Sequence, residues 1–286
     1  MKQKVVVTGS AGFIGKNVAN FLKQKGYGII PFDKSTGQDL LKKGGLEKAL
    51  KNADFVCHLA AVGDIYLATK DPKLAVRSGV LGTINLLQAS QKFNLKKIVY
   101  ASTWEVYGES KYQPIDEEHP TNPDHPYSIS KLAGELMIRS KLFNVPWVVL
   151  RLGTTYGRFM RQNAVIPAFI NLAKLQNPIK IQGTGKQTRA FTHTSDIANA
   201  FYLAITNKVE KEIFNICGNE LTSILDLAKE ITKYYPTNIE FVEARTADVS
   251  PSQISIEKAK KILSWEPKVQ FPRGLEKLIK DDDPKL

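Results

Sequence analysis

The sequence predicts an α/β fold: a doubly wound parallel sheet with helices on both faces, followed by a smaller C-terminal α/β region. Three observations carry this. Apolar, often β-branched runs of strand length recur through the first half, helical periodicities separate them, and a glycine-bearing turn joins the first strand to the first helix. Strands buried on both faces read as continuous apolar runs, and a parallel neighbour is reached through a crossover, usually helical.

The elements follow in order. KVVVT at 4–8 is the first strand, and after the turn Phe13, Ile14, Val18, Phe21 and Leu22 recur at helical spacing. GIIPFD at 28–33 is the second strand. DFVCHL at 54–59, KIVYAS at 97–102 and PWVVLRL at 146–152 are three more. Between them, 75–93 carries Val76, Val80, Ile84, Leu87 and Ser90 on neighbouring turns. Pro126 stands where a first helical turn accepts proline and opens an amphipathic run to Leu142. Beyond about residue 158 the short segments PIKIQG, TRAFTH, EIFNIC and IEFVEA accompany the helical LTSILDLAKEITKYY. The stretch from Asp196 to Cys217 can return to the main sheet. The expected division is therefore 1–160 plus about 195–218 for the main-sheet domain, and 161–194 plus about 219–286 for the second region. The terminal KDDDPKL is expected to fray.

A chain of 286 residues with 43% hydrophobic content buries a large core. No stretch approaches the roughly 18 apolar residues of a membrane span, and MKQKVVVTG enters a strand without a signal-peptide core, so a cytoplasmic protein is expected. Cys57 and Cys217 lie in apolar strand-like runs and read as buried, inert thiols. The four histidines have no metal-ligand spacing, and no metal is expected. The formal charge of +12 favours an acidic partner: nucleic acid, a membrane surface or a small phosphorylated ligand. Lysines are spread along the chain instead of forming one arm, which is a pattern of a solvated basic surface.

Two motifs carry chemistry. In TGSAGFIG at 8–15, Gly9, Gly12 and Gly15 recur between the first strand and the first helix. Without β-carbons, backbone N–H groups approach a pyrophosphate closely, and the helix N-terminus adds donors and partial positive charge. Asp33 closes the second strand at a spacing suited to an adenosine ribose diol and would repel a 2′-phosphate, favouring NAD over NADP. The second motif is Tyr127/Lys131, a phenol and an ammonium one helical turn apart. A neighbouring cation is expected to lower the phenol pKa from its ordinary value near 10 and make it a base. The same spacing occurs at Tyr66/Lys70 and Tyr107/Lys111, but both of these lie near loop signals, whereas Tyr127 starts a long helix.

With these motifs the chain resembles the extended short-chain dehydrogenase/reductases, and within them the NAD-dependent epimerase/dehydratase family of nucleoside-diphosphate-sugar enzymes. The resemblance extends to Asp39-Leu40, HLAA at 58–61, GTINLLQAS at 82–90, ASTWEVYG at 101–108, RLGTTYG at 151–157, GTGKQTRAFTHTSDIA at 183–198, FNICG at 214–218 and KKILSWEPKV at 260–269. It implies a Rossmann-like domain and a C-terminal substrate domain. NAD would be held by Gly9, Gly12, Phe13, Ile14 and Gly15 at the pyrophosphate, Asp33 at the ribose, Asp39 and Leu40 at the adenine, and by Leu59, Ala60, Ala61, Tyr127 and Lys131. The resemblance further implies Tyr127 as base, Thr103 as the hydroxyl that orients the reacting sugar, and Arg189 as a contact to the substrate diphosphate. Trp104 and Thr154 would also border the substrate. The implied reaction is oxidation of a sugar hydroxyl, usually at C4, alteration of the keto sugar and its reduction. A homodimer is implied too, with 75–93 and 126–142 pairing across a two-fold axis; nucleic acid and membrane are not implied partners.

The sequence departs from the family at several positions. Trp104 stands where 4,6-dehydratases carry an aspartic acid, so it cannot assist water loss, while Glu105 retains a carboxylate also found in sugar-acid decarboxylases. Gly79 and Thr154 replace family asparagines, and the stretch between Asp33 and Asp54 is short. A 4-epimerase is the reading that needs no extra acid. A decarboxylase, a dehydratase, or a non-catalytic NAD-binding sensor or scaffold stands as the alternative.

Overall fold

The computed structural model describes residues 2–243 and 253–282. The strands of the first half are β1 (Lys4–Thr8), β2 (Gly28–Phe32), β3 (Phe55–His58), β4 (Lys97–Thr103) and β5 (Trp147–Leu152). Shorter strands follow: β6 (Thr154–Tyr156), β7 (Ile179–Gln182), β8 (Thr188–Arg189), β9 (Phe191–His193), β10 (Glu212–Ile216), β11 (Thr222–Ser223) and β12 (Ile239–Val242). The helices are α1 (Phe13–Gln24), α2 (Lys43–Leu50), α3 (Ile65–Lys70), α4 (Pro72–Val76), α5 (Gly82–Ser90), α6 (Pro126–Arg139), α7 (Val165–Lys174), α8 (Thr194–Thr206), α9 (Ile224–Thr232) and α10 (Phe271–Asp282).

Six parallel strands form the central sheet in the order β10-β5-β4-β3-β1-β2. The chain moves outward on both sides of β1, so the crossovers place helices on opposite faces and leave a crevice at the carboxyl ends of β1 and β3. Alternate side chains feed two cores. Val5, Val7 and Cys57 meet Val18 and Leu22 of α1 and Phe201 of α8 on one face. Val6, Val56, Ile98 and Val149 meet Leu86 and Leu87 of α5 and Ile138 of α6 on the other. A third cluster, including Tyr156, Phe169, Ile181, Leu227 and Phe271, lies in the C-terminal region. Both cysteines are free and buried. Among the described residues no helix is long and apolar enough to cross a membrane.

Several expected boundaries change for local physical reasons. The helix expected over 75–93 starts at Pro72, where Asp71 accepts the N–H of Leu74, and it widens into a π turn at Arg77–Leu81 before ending at Ser90. Gly79 sits in that turn, and a β-carbon there would come within 2.8 Å of Ser130 Oγ, so glycine permits the close approach of α6. The helix expected to reach Leu142 stops at Arg139 because Ser140 is extended and its hydroxyl accepts the N–H of Leu142. TRAFTH divides into β8, paired with β11, and β9, paired with β6. Ile256, Ala259, Leu263 and Trp265, expected in the second region, instead join the main-sheet core, with Trp265 Nε1 donating to the Asp196 carbonyl at 2.9 Å. Lys280 and Asp281 are helical where fraying was expected; residues 283–286, and Ala244 of the expected last strand, lie outside the described residues.

Candidate active site

The glycine turn lies at the crevice. Gly9 has φ of +71°, and a β-carbon on it would meet the Ala60 backbone nitrogen at 2.9 Å. A β-carbon on Gly15 would lie 2.0 Å from the Gly9 carbonyl oxygen, so helix and turn pack at a distance that only glycine allows. Gly12 caps α1 with no side-chain hydrogen bond, leaving the N–H groups of its first turn, at Phe13 and Ile14, free of any capping side chain. Asp33 holds the neighbouring loop: Oδ2 accepts from Ala11 N at 2.9 Å, and Oδ1 accepts from Ser35 N and Oγ at 2.9 and 2.7 Å. Burial opposes its ionisation, but these hydrogen bonds and Lys16 outweigh it and hold the carboxyl below the usual range. A glycine cradle, open helix N–H groups and an ionised carboxylate with spare lone pairs fit the pyrophosphate and ribose of a dinucleotide. Asp39 accepts the N–H of Leu41, while Leu40 is buried against Gly82, its carbonyl accepting from Asn85.

Leu59, Ala60 and Ala61 follow β3 beside the turn. Thr8 Oγ1 accepts from the N–H groups of Leu59 and Ala60 at 3.1 and 3.2 Å and lies 2.7 Å from His58 Nδ1. His58 Nε2 in turn lies 3.0 Å from Thr83 Oγ1, which donates to the Gly79 carbonyl at 2.6 Å. Thr83 has given its proton away, so it accepts from Nε2–H, and Nδ1 accepts from Thr8. Burial, reinforced by Lys131, pushes this imidazole down to about 3 and keeps it neutral.

Across the crevice, β4 ends at Thr103 and Tyr127 lies in the first turn of α6. The Thr103 hydroxyl interacts with the half-buried Tyr127 phenol and favours its ionised form. It also accepts the N–H of Glu105 at 3.3 Å. Burial and then Glu105 raise the phenol pKa, while Arg161 lowers it. The expected lowering by Lys131 is therefore corrected. The Lys131 ammonium donates to the Ala101 carbonyl at 2.7 Å and lies 5.1 Å from the Tyr100 ring centroid. Burial brings Lys131 down to about 8, and Glu135 opposes the fall. Glu135 itself is clamped by Arg151 at 3.1 and 2.8 Å and accepts from Ser102, which fixes α6 to β4 and β5. Glu105 is pushed up to about 7 by burial and by Asp124, against Arg189. The structure thus brings Thr103, Glu105, Tyr127 and Lys131 together at the crevice, with Arg189 of β8 facing Glu105. Trp104 and Thr154 are half-buried, on the turn after β4 and on β6. The competing pairs differ: Tyr66 is 65% exposed, and Tyr107 is buried with its hydroxyl on Asn215 Oδ1 at 2.6 Å.

Sequence reasoning missed Arg161, His125 and the Thr8-His58-Thr83 chain. Arg161 lies on the loop after β6, where it pairs with Asp64 at 2.5 Å. Only the position of His125, just ahead of Pro126, was a signal, and histidine is an uncommon helix cap.

The profile of the NAD dependent epimerase/dehydratase family matches residues 5–217, and the chain belongs to that family. It is 30% identical to the UDP-glucuronate 4-epimerase of Thermodesulfobacterium geofontis, over 96% of this chain and 94% of that one. It is 31% identical to the dTDP-D-glucose 4,6-dehydratase of Bos taurus, over 97% of this chain and 88% of that one. The crystal structure of the Thermotoga maritima UDP-glucose 4-epimerase with UDP-glucose superposes with a TM-score of 0.93 at 27% identity, covering 99% of both chains.

Proposed function

We propose that the protein is an NAD-dependent nucleotide-sugar 4-epimerase that acts by transient oxidation at C4. The observation that carries this reading is the contact of the Thr103 hydroxyl with the Tyr127 phenol, one helical turn from Lys131 on α6. When bound, NAD supplies a reversible two-electron acceptor. Gly9, Gly12, Phe13, Ile14 and Gly15 would hold its pyrophosphate, Asp33 its adenosine ribose, Asp39 and Leu40 its adenine edge, and Leu59, Ala60, Ala61 and Lys131 its nicotinamide half. Thr103 orients the sugar hydroxyl and Tyr127 takes its proton, then returns it when the sugar is reduced from the other face. Arg189 holds the substrate diphosphate, with Trp104 and Thr154 at the sugar, and the C-terminal region closes the site from water.

Proton NMR of products from a panel of UDP-, GDP- and dTDP-sugars tests this: the 4-epimer accumulates with native protein, and Tyr127→Phe lowers the rate by 10² or more. Full activity in Tyr127→Phe would overturn the role of Tyr127, and no product from any sugar in a protein that NAD still stabilises would leave only a cofactor-binding sensor or scaffold. One observation favours a second reading. Glu105, raised to about 7, can exchange a proton at neutral pH, which suits a decarboxylase or dehydratase. Loss of carbon dioxide or water in the mass spectrum of the products identifies that chemistry, since epimers keep the substrate mass.

The same reading includes a homodimer. Val76, Leu81, Ile129 and Leu136 stand out from α4, the π turn after it and α6, each between 46% and 52% exposed, and an apolar helical face of this kind suits a four-helix contact. A cytoplasmic location is supported by two free, buried thiols in a chain whose described residues carry no membrane-spanning helix.

A further inference from the structure

The site holds two acid–base groups, Tyr127 and Glu105, and one residue touches the surroundings of both. His125 caps α6, with Nδ1 accepting the N–H of Ser128 at 3.3 Å while Ser128 Oγ accepts the His125 N–H at 3.4 Å. Because Nδ1 accepts, the ring proton sits on Nε2. That nitrogen lies 3.6 Å from Glu105 Oε2 and 3.9 Å from Asp124 Oδ1. The imidazole also runs parallel to the Tyr127 ring, with centroids 5.9 Å apart and planes 5° apart.

A cap alone does not call for histidine. Serine, threonine, aspartate and asparagine accept the same backbone N–H more effectively, and none of them has a second nitrogen or a ring to stack. We propose that His125 is a positioning residue that couples the two acid–base groups, its cap and stacked ring fixing the start of α6 at Tyr127 and its Nε2–H directed at Glu105. This rests on the reading of Tyr127 and Glu105 given above. The N–H dipole favours the Glu105 carboxylate, as does Arg189 from β8, against burial and Asp124. The charged and titratable groups facing the pair are thus Asp124, Tyr127 and Arg189. Burial keeps the imidazole neutral although Asp124 pulls the other way, and a proton added at Nδ1 would remove the cap.

Three variants of the full chain separate the contributions. His125→Asn keeps a cap acceptor but has no ring, and its shorter amide places no donor at the Nε2 position. His125→Gln places an amide N–H toward Glu105 without the cap, and His125→Ala has neither. Carbon-13 titration of the glutamate carboxyls, with Glu105 assigned by its loss in Glu105→Gln, reads the coupling without any turnover. The Glu105 midpoint is expected to rise by about half a pH unit in His125→Asn and His125→Ala, a threefold change in its dissociation constant, and to stay in place in His125→Gln. Melting temperature is expected to hold in His125→Asn and fall in His125→Gln, which a purely structural cap would not combine with an unmoved midpoint. Identical Glu105 titration in native protein and His125→Asn overturns the proposal. Tyr127→Phe distinguishes the two failures: an inactive Tyr127→Phe beside an unmoved Glu105 leaves the catalytic reading intact and removes only the role of His125.

Discussion

Glu105 illustrates how far a site residue's behaviour depends on its surroundings. Its carboxyl is raised from the ordinary value to about 7, so the fold favours the protonated form, and this stabilising preference is complete below the unfolded pKa and is lost as pH rises through 7. Glu105→Gln is therefore expected to be more stable than native protein at pH 8, by about 3 kcal/mol, and equal to it at pH 4, as measured by urea denaturation. Gly15 behaves in the opposite way, through steric contact alone. With 2.0 Å between an added β-carbon and the Gly9 carbonyl, Gly15→Ala must push α1 away from the turn. A loss of about 2 kcal/mol in denaturant, with weaker thermal protection by NAD, is the expected result. The sequence disclosed the steric role and not the electrostatic one. Glycine at a tight turn is a local requirement, whereas the pKa of Tyr127 or Glu105 depends on burial and on charges brought from the loop before α6, from β8 and from the loop after β6.

Among the elements, those with strong periodicity were legible and those defined by long-range packing were not. KVVVT and KIVYAS announce themselves because strands covered on both faces need apolar residues at every position. The π turn at Arg77–Leu81 carries Gly79 at its close approach to Ser130 of α6, and no local pattern encodes that contact. Nor does any pattern predict that Trp265 reaches back to α8. His58 links three elements at once, tying the end of β1 to β3 and, through Thr83, to α5. Its pKa falls from the ordinary value to about 3 on folding, so its contribution is complete above about pH 6.5 and is lost as pH falls toward 3. Native protein should lose roughly 1.4 kcal/mol of stability per pH unit across that window from this group, and His58→Gln should lack that component. Superimposable acid-denaturation curves for the two would refute the assignment.

At the scale of the whole molecule, the sheet presents the cofactor cradle at one end and the apolar helices α4, α5 and α6 at one side. Sedimentation of the native protein at micromolar concentration is expected to give a dimer. Leu136→Lys, which puts a charge in the middle of the exposed face, should give a folded monomer. A monomeric native protein would refute the proposed pairing. One feature of the topology reaches beyond catalysis to biosynthesis. β5 ends at Leu152, but its outer neighbour β10 begins only at Glu212, and the aromatic plug Trp265 comes later still. During translation, five strands therefore emerge with an unpaired edge and an uncovered greasy face, long before the segments that complete them leave the ribosome. A chain truncated near residue 160 and released should consequently recruit chaperones or precipitate, and extension beyond residue 265 should relieve both.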